Sequence, residues 1–169
     1  MKRVIVIGCP GGGKSTFARA LHDITGLPLY HLDMMYWNAD RTIVPKEMFR
    51  RRLNNALESE VWILDGNYGS TMELRLQACD TVFFLDYPVE VCLSGVKDRQ
   101  GKARSDMPWI ENIGEEDAEF LKFVREYNSV SRPIVLELLQ KYLYKDIHVF
   151  RSREEARRFL EQIRKNIII

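Results

Sequence analysis

The sequence contains only three cysteines, Cys9, Cys79 and Cys92. They are odd in number and widely spaced, and no two of them form a C-x-x-C pair. A disulfide framework or a structural zinc site requires paired or closely spaced cysteines. We therefore expect three reduced thiols, as in a cytosolic protein.

Long apolar runs and an excess of one charge are also missing. The first apolar run, residues 4–7, is too short for a signal peptide, and no later run approaches the ~20 residues that cross a bilayer. Lysines and arginines number 25 against 24 aspartates and glutamates, a net charge of +1. No overall field therefore attracts the chain to nucleic acid or to a membrane, and we expect a cytoplasmic location.

The composition is that of an ordinary folded protein. The 169 residues are 46% hydrophobic and 29% charged, values typical of globular proteins. This length is sufficient for one sizeable core. We predict a single domain over residues 1–169.

Residues 8–16, GCPGGGKST, match the pattern G-x-x-x-x-G-K-[ST] directly after an apolar run. A buried strand, a glycine loop and a helix N-terminus together form a site for nucleotide phosphates. We expect Lys14 to reach the β- and γ-phosphates and the Ser15 hydroxyl to bind Mg²⁺. The alternative, a glycine turn with a chance lysine, is disfavoured by the amphipathic pattern that follows. The predicted nucleotide-binding residues here are Gly8, Pro10, Gly11, Gly12, Gly13, Lys14, Ser15 and Thr16.

Strand-like and helical patterns alternate along the rest of the chain, which predicts βαβ units and a parallel α/β sheet. Serine–glutamate pairs with capping-box spacing indicate helix starts at Ser70 and Ser152. Pro133 separates either two helices or the halves of one kinked helix. Residues 34–44 show neither a helical nor a strand period and are predicted to be a pocket-lining loop. Residues 100–116 are predicted to be a mobile lid. The predicted strands are residues 4–7, 29–32, 61–64, 81–85 and 147–150.

Aspartates follow three of these strands. Ligands of open α/β sheets bind beyond the carboxyl ends of the strands, where one carboxylate can hold Mg²⁺ and another can accept a proton. We predict these roles for Asp65, as a metal ligand beside Ser15, and for Asp33. An aspartate there can also simply begin a turn or cap a helix, which is our interpretation of Asp86.

Phosphoryl transfer also requires cations on the migrating charge. We predict this role for Arg99, at the end of the helix after strand four, and for Arg104 in the lid. The roles of Arg125 and Arg132 remain open. The run of three arginines at residues 50–52 is expected to be a solvated face.

The aromatic side chains near the predicted site have two possible roles. Tyr36, Trp37 and Tyr68 either stack on a ligand or fill the core, and the sequence favours neither. The strand histidines, His31 and His148, are expected to be structural.

Several segments in this order resemble a known group of proteins. GCPGGGKST, LDMMYW, WILDGNY, FLDYP with Arg99 downstream, and EYNSVSRP resemble the adenylate-kinase-like small-molecule kinases of the P-loop superfamily. Within that group the sequence is most similar to the bacterial DNA topology-modulation (FlaR-type) proteins. The resemblance covers nearly the whole chain.

The resemblance implies a three-layer α/β/α fold with a five-stranded parallel sheet in the order 2-3-1-4-5. It also implies an acceptor-binding segment at about residues 33–60 and a lid at about 100–116. ATP and Mg²⁺ would be the cofactors, with Arg99 over the nucleotide, Arg104 in the lid, and Arg151 with Ser152 near the base. The acceptor would lie at Asp33, Trp37, Asp65, Gly66, Asn67 and Tyr68.

Two departures from adenylate kinases bear on the acceptor. The segment between Asp33 and Trp62 is short, and Asn67-Tyr68 replace a phenylalanine-proline-arginine sequence. The replacement removes an arginine that would hold an acceptor phosphate, which argues against AMP.

Two functions of different classes remain at this stage. The first is an Mg²⁺·ATP-dependent phosphotransferase that acts on a nucleoside, nucleotide or other small polar acceptor, as a monomer or a homodimer. The second is an ATP-binding regulatory protein that affects DNA topology or expression. We do not expect direct DNA binding, because the near-neutral chain carries no DNA-binding motif.

Overall fold

A computed structural model of the chain describes residues 1–112 and 118–167. Helices and strands alternate along it, as the sequence patterns predict. The strands are β1 (Arg3–Gly8), β2 (Leu29–His31), β3 (Trp62–Asp65), β4 (Thr81–Leu85) and β5 (Asp146–Phe150). The helices are α1 (Lys14–Thr25), α2 (Leu32–Tyr36), α3 (Lys46–Leu57), α4 (Gly69–Ala78), α5 (Val89–Arg99), α6 (Ala118–Glu126), α7 (Ser131–Lys141) and α8 (Arg153–Ile167).

The strands form one parallel sheet in the order β2-β3-β1-β4-β5. This order confirms the predicted one. The central strand β1 lies between β3 and β4, and its interior residues are buried on both faces, as in parallel sheets covered by helices. The phosphate loop at its end therefore lies at the middle of the carboxyl edge.

Two hydrophobic cores cover the two faces of the sheet and complete the predicted three-layer fold. On one face Val4 and Val6 pack with residues of α1, α5, α6 and α8. On the other face Ile5 and Ile7 pack with α3, α4 and α7. The alternation follows from the two-residue period of a strand, which turns successive side chains to opposite faces.

Helix boundaries agree with several local signals in the sequence. Gly26 ends α1 in the left-handed conformation, with φ of 70°, which glycine adopts without steric cost. The Ser152 hydroxyl accepts a hydrogen bond from the Glu155 amide at 3.2 Å, which confirms the second predicted cap. Pro133 lies in the first turn of α7, so the region forms two helices.

Three expectations are corrected. Residues 34–44 are not all loop, because α2 extends to Tyr36; one turn and a half is too short to show a helical period. Ser70 does not cap α4, since the helix begins one residue before it and the capping position is Tyr68. Asp33 belongs to α2 rather than to the end of a strand.

The predicted lid is described over residues 100–112, and its remainder, residues 113–116, lies outside the described part of the chain. In the described part of the chain, no helix is both long and apolar enough to cross a membrane.

Candidate active site

A cleft of about 1040 Å³ opens at the carboxyl edge of the sheet. It is bounded by the phosphate loop, the start of α2, the turn after β3, the lid and α7. Most of the predicted site residues line it. Those residues are Pro10, Gly11, Gly13, Lys14, Ser15, Thr16, Asp33, Trp37, Asp65, Gly66, Asn67, Tyr68, Arg99 and Arg104.

Four predicted residues are not among the lining residues. Gly8 and Gly12 belong to the loop but contribute no surface to the cleft. Arg151 forms an ion pair with Asp86, and Ser152 caps α8, so both have structural contacts away from the lining.

The phosphate loop is held open by glycine geometry and by one side chain from the next strand. Gly11 and Gly13 have φ of 78° and 88°, values that residues with a Cβ resist. The Gly8 amide donates a hydrogen bond of 2.9 Å to Asn67 Oδ1. Lys14 Nζ donates to the Cys9 carbonyl across the loop at 3.1 Å, so the ammonium lies against the loop backbone.

The loop also packs against α5 through a second glycine that the sequence reasoning missed. A Cβ on Gly95 would overlap the Gly11 carbonyl oxygen, and a Cβ on Gly11 would overlap the Cys92 carbonyl. Only glycine at both positions permits this approach of loop to helix. The orientation of the loop therefore depends on a residue more than eighty positions away.

Asp65, at the end of β3, is 4% exposed and lies next to His31. Its Oδ2 is 2.8 Å from His31 Nδ1, which fixes the orientation of the carboxylate. Its Oδ1 is buried and accepts no hydrogen bond from the described residues. A buried carboxylate oxygen without a partner is costly unless it binds a ligand, and Asp65 and Ser15 both line the cleft.

Asp33 accepts a hydrogen bond of 2.6 Å from the Tyr68 hydroxyl. Burial raises the pKa of Asp33 above its usual value; the Tyr68 hydrogen bond lowers it, and the charge of Asp65 raises it further. Burial and the charge of Asp33 likewise raise the pKa of Tyr68, so the phenol keeps its proton. Asp33 is therefore a carboxylate with greater proton affinity than a solvated aspartate.

A buried arginine supports the turn that carries Tyr68. Arg75 is 0% exposed, and its guanidinium donates to the carbonyls of Gly66 at 2.9 Å, of Asn67, and of Tyr68 at 3.2 Å. Burial lowers its pKa to about 10, so it stays charged at neutral pH. A charged residue between Met72 and Leu76 on a buried helix face is the signal that could have revealed it.

The lid contributes an ionic network rather than isolated arginines. Arg99 Nε lies 2.7 Å from Glu111 Oε2, and Arg104 lies 3.4 Å from Asp106 and 3.5 Å from Glu111. Arg19 of α1 also binds Asp106, at 2.8 Å. Arg19, Asp106 and Glu111 were not among the predicted residues.

Asp106 is the centre of this network and is 2% exposed. Burial alone would raise its pKa, but Arg104 and Arg19 hold the pKa below its usual value. It therefore stays ionised and connects the lid to the first turns of α1.

Asp86 does not cap α5, whose capping position is Pro88 without a side-chain hydrogen bond. Its carboxylate instead accepts hydrogen bonds from Arg132 Nε at 2.7 Å and Nη2 at 2.9 Å, and from Arg151. These contacts join β4, the start of α7 and the end of β5. The structural interpretation of Asp86 holds, through ion pairs rather than a turn.

Comparison with known proteins places this geometry in a fold family. No protein-family model and no curated protein sequence matches the chain. Solved structures do match it over nearly its whole length. Shikimate kinase from Bacteroides thetaiotaomicron has a TM-score of 0.61 at 16% identity and covers 99% of both chains. The chain has the same fold as this kinase.

Two further structures show the same likeness. Shikimate kinase from Acinetobacter baumannii, solved in complex with shikimate, has a TM-score of 0.61 at 18% identity, covering 98% of this chain and 94% of that one. Shikimate kinase from Aquifex aeolicus has a TM-score of 0.54 at 19% identity, and the match covers 95% of this chain and 93% of that one. At these identities the likeness concerns the fold.

Proposed function

We propose that the protein is an Mg²⁺·ATP-dependent phosphotransferase that acts on a small polar acceptor. The observation that carries the proposal is that Lys14 of the phosphate loop and the Asp33 carboxylate line one cleft. A phosphate-binding loop facing a buried carboxylate of raised pKa is the arrangement that phosphoryl transfer to a hydroxyl requires. The kinase fold of the structural neighbours and the sequence resemblance to small-molecule kinases, including the topology-modulation proteins, support it.

ATP would bind with its phosphates on the loop amides. Lys14 needs only to exchange the Cys9 carbonyl for phosphate oxygens. Arg99 and Arg104 line the cleft from the lid side. Arg104 Nη2 is ion-paired with Glu111 at 3.5 Å but makes no hydrogen bond to the described residues. These donors would stabilise the charge that develops on the transferring phosphoryl group.

Mg²⁺ fits the unpartnered oxygen of Asp65. In the described part of the chain, no group of three or more histidine, cysteine, aspartate or glutamate side chains could hold a metal ion. This agrees with Mg²⁺, which takes one or two protein oxygens together with phosphate oxygens. Asp65 Oδ1 and the Ser15 hydroxyl would hold the ion, which supplies charge neutralisation when bound. His31 would keep the Asp65 carboxylate aligned.

Asp33 would orient the acceptor hydroxyl and take its proton. As the acceptor oxygen bonds to the γ-phosphorus, the bond from that phosphorus to the oxygen bridging to the β-phosphate breaks, and ADP leaves with both electrons of that bond. The proton goes to Asp33 Oδ2, since Oδ1 already accepts from Tyr68. It returns to solvent when the phosphorylated product departs.

The test is transfer of labelled γ-phosphate from Mg²⁺·ATP to a panel of nucleosides, nucleoside monophosphates and small hydroxy acids. We expect acceptor-stimulated ADP formation that Lys14→Ala abolishes. The matched control is Lys165→Ala, an exposed lysine near the end of α8, which should leave turnover unchanged. ATP binding without labelled product from any acceptor would overturn the proposal and favour the regulatory alternative.

A further inference from the structure

Three aromatic rings surround the acceptor end of the cleft. Trp37, Tyr68 and Trp109 line it together with Asp33. Trp37 follows α2, Tyr68 precedes α4, and Trp109 belongs to the lid. The two indole rings meet edge to face, with centroids 5.0 Å apart and an angle of 87° between their planes. The predicted lid segment therefore contacts this end of the cleft through an aromatic pair.

Two of these rings are held in place from behind. The ring of Tyr36 packs on the rings of Trp37 and Tyr68, with distances between ring centroids of 5.1 Å and 4.8 Å. Phe49, which is 4% exposed, also packs on Tyr68, with ring centroids 5.3 Å apart. Rings fixed in this way lose little freedom when a flat ligand stacks on them. The acceptor end therefore has a preorganised apolar wall.

Cationic side chains at the cleft already have partners. Arg19 and Arg104 share Asp106, Arg99 binds Glu111, and the Arg41 guanidinium donates to the Ile110 carbonyl at 3.3 Å. Lys14 and the remaining donor of Arg104 have the role, in the proposed reaction, of binding the phosphates of ATP.

The two other arginines near this end face away from the ligand space. Arg75 lies behind the wall and uses its guanidinium on the carbonyls of residues 66–68. Arg52 donates to the Met35 carbonyl at 2.8 Å and lines a different cavity.

We infer that the acceptor is an uncharged hydroxyl compound with a flat ring, of which a nucleoside is the class that fits, rather than a phosphate or carboxylate. The inference rests on the proposed function and names its substrate class. A flat ring would pack against Trp37, Tyr68 and Trp109, parallel to one indole and edge-on to the other, while a hydroxyl of the same compound reaches Asp33. An anionic group there would be desolvated near the carboxylates of Asp33 and Asp65 without a cation of its own, which is costly.

The test compares acceptors that differ in charge. Uridine is paired with orotidine, which adds a carboxylate to the base and keeps every hydroxyl, and shikimate is paired with its uncharged methyl ester. We expect kcat/KM to be at least about 100-fold higher for the uncharged member of a pair that is accepted, because a buried unpaired charge costs several kcal/mol. Preference for the anionic member, with a KM that rises in Arg41→Gln, would overturn the inference while leaving the kinase proposal intact.

Binding is measured separately from turnover. Calorimetry with a non-hydrolysable ATP analogue present should show binding of nucleosides and none of monophosphates. Binding without transfer would refute the proposed phosphotransferase and retain the inferred ligand class. Absence of nucleoside binding under these conditions would overturn the inference.

Ring variants test the wall itself. Trp109→Leu and Trp37→Leu should each raise the acceptor KM about 5- to 100-fold, the range for loss of one stacking ring, with an unchanged KM for ATP. Tyr144→Leu, at a tyrosine that is 78% exposed, is the matched control and should change neither. If the tryptophan variants lower only the melting temperature, or raise the KM for ATP instead of the KM for the acceptor, the rings do not form an acceptor site.

Discussion

The Tyr68 hydroxyl donates a 2.6 Å hydrogen bond to Asp33 Oδ1, across 35 positions of the sequence. The bond joins the turn after β3 to the helix that follows β2. It leaves one carboxylate oxygen of Asp33 for a ligand and partly offsets the effect of burial on the pKa. The remainder of the turn is held by Arg75, so the position of Asp33 depends on α4 as well as on α2.

Tyr68→Phe should shift the pH dependence of turnover. Asp33 must be ionised to accept a proton, and its pKa is already raised by burial. Since the Tyr68 hydrogen bond lowers that pKa, its removal should move the acidic limb of the kcat profile to higher pH, while the ring that lines the cleft is kept. The measurement is kcat against pH for both proteins, with Tyr144→Phe as control. An acidic limb that stays in place would show that Asp33 does not control it.

Asp33→Asn should stabilise the fold at neutral pH. Burial and Asp65 raise the pKa of Asp33 in the folded protein, so the folded state binds this proton more tightly than the unfolded state. Ionisation therefore destabilises the fold above the folded pKa, and the effect vanishes below the ordinary aspartate pKa of about 4. Urea unfolding at several pH values should show a higher midpoint concentration of urea for the variant than for the unmodified protein at pH 7. The difference between the two midpoints should disappear as the pH falls toward 4. Equal midpoints at pH 7 would contradict the raised pKa.

Gly95→Ala should damage ATP use by displacing the glycine loop. The added methyl group would overlap the Gly11 carbonyl oxygen, so the phosphate loop must shift. Displacement of a positioning loop by about 1 Å can cost about 100-fold in rate, and we expect a loss of that order in kcat/KM for ATP. Gly69→Ala is the matched control, because among the described residues no atom beyond its chain neighbours and its own helix backbone lies within 4 Å of the added methyl group. Equal kinetics for the two variants would show that the loop does not rely on this contact.

Asp86→Ala should lower the free energy of unfolding by about 2 kcal/mol. Removing one partner of a fully buried ion pair costs about 3–5 kcal/mol, but Arg132 and Arg151 are 29% and 58% exposed and stay partly hydrated. Chemical denaturation measures the change, with Asp23→Ala, an exposed aspartate of α1, as control. A loss no larger than in the control would mean that water replaces the carboxylate at both arginines.

The strand, loop and helix of residues 3–25 were predictable because their signals are local. A strand, a glycine run and a helix start are consecutive in sequence, so spacing alone places Lys14 and Ser15. The sheet order required the family resemblance, since hydrophobic runs give the number of strands but not their neighbours.

The supporting contacts of the site could not be predicted from spacing. Arg19 and Asp106 are 87 positions apart, and Gly95 meets Gly11 only after α5 packs on the loop. Arg75 resembles an ordinary helix arginine until the helix is buried. Such contacts depend on tertiary packing, which a single sequence does not encode in any local pattern.

The role of Asp33 is tested by measuring acceptor-dependent phosphoryl transfer and ATP affinity together in Asp33→Asn. We expect kcat to fall by about 100-fold or more, the contribution of a general base, while the dissociation constant of Mg²⁺·ATP stays within about twofold. Asp23→Asn, at an exposed aspartate, should change neither value. Unchanged transfer in Asp33→Asn would contradict the central claim, because the carboxylate facing the phosphate loop would then have no part in the reaction.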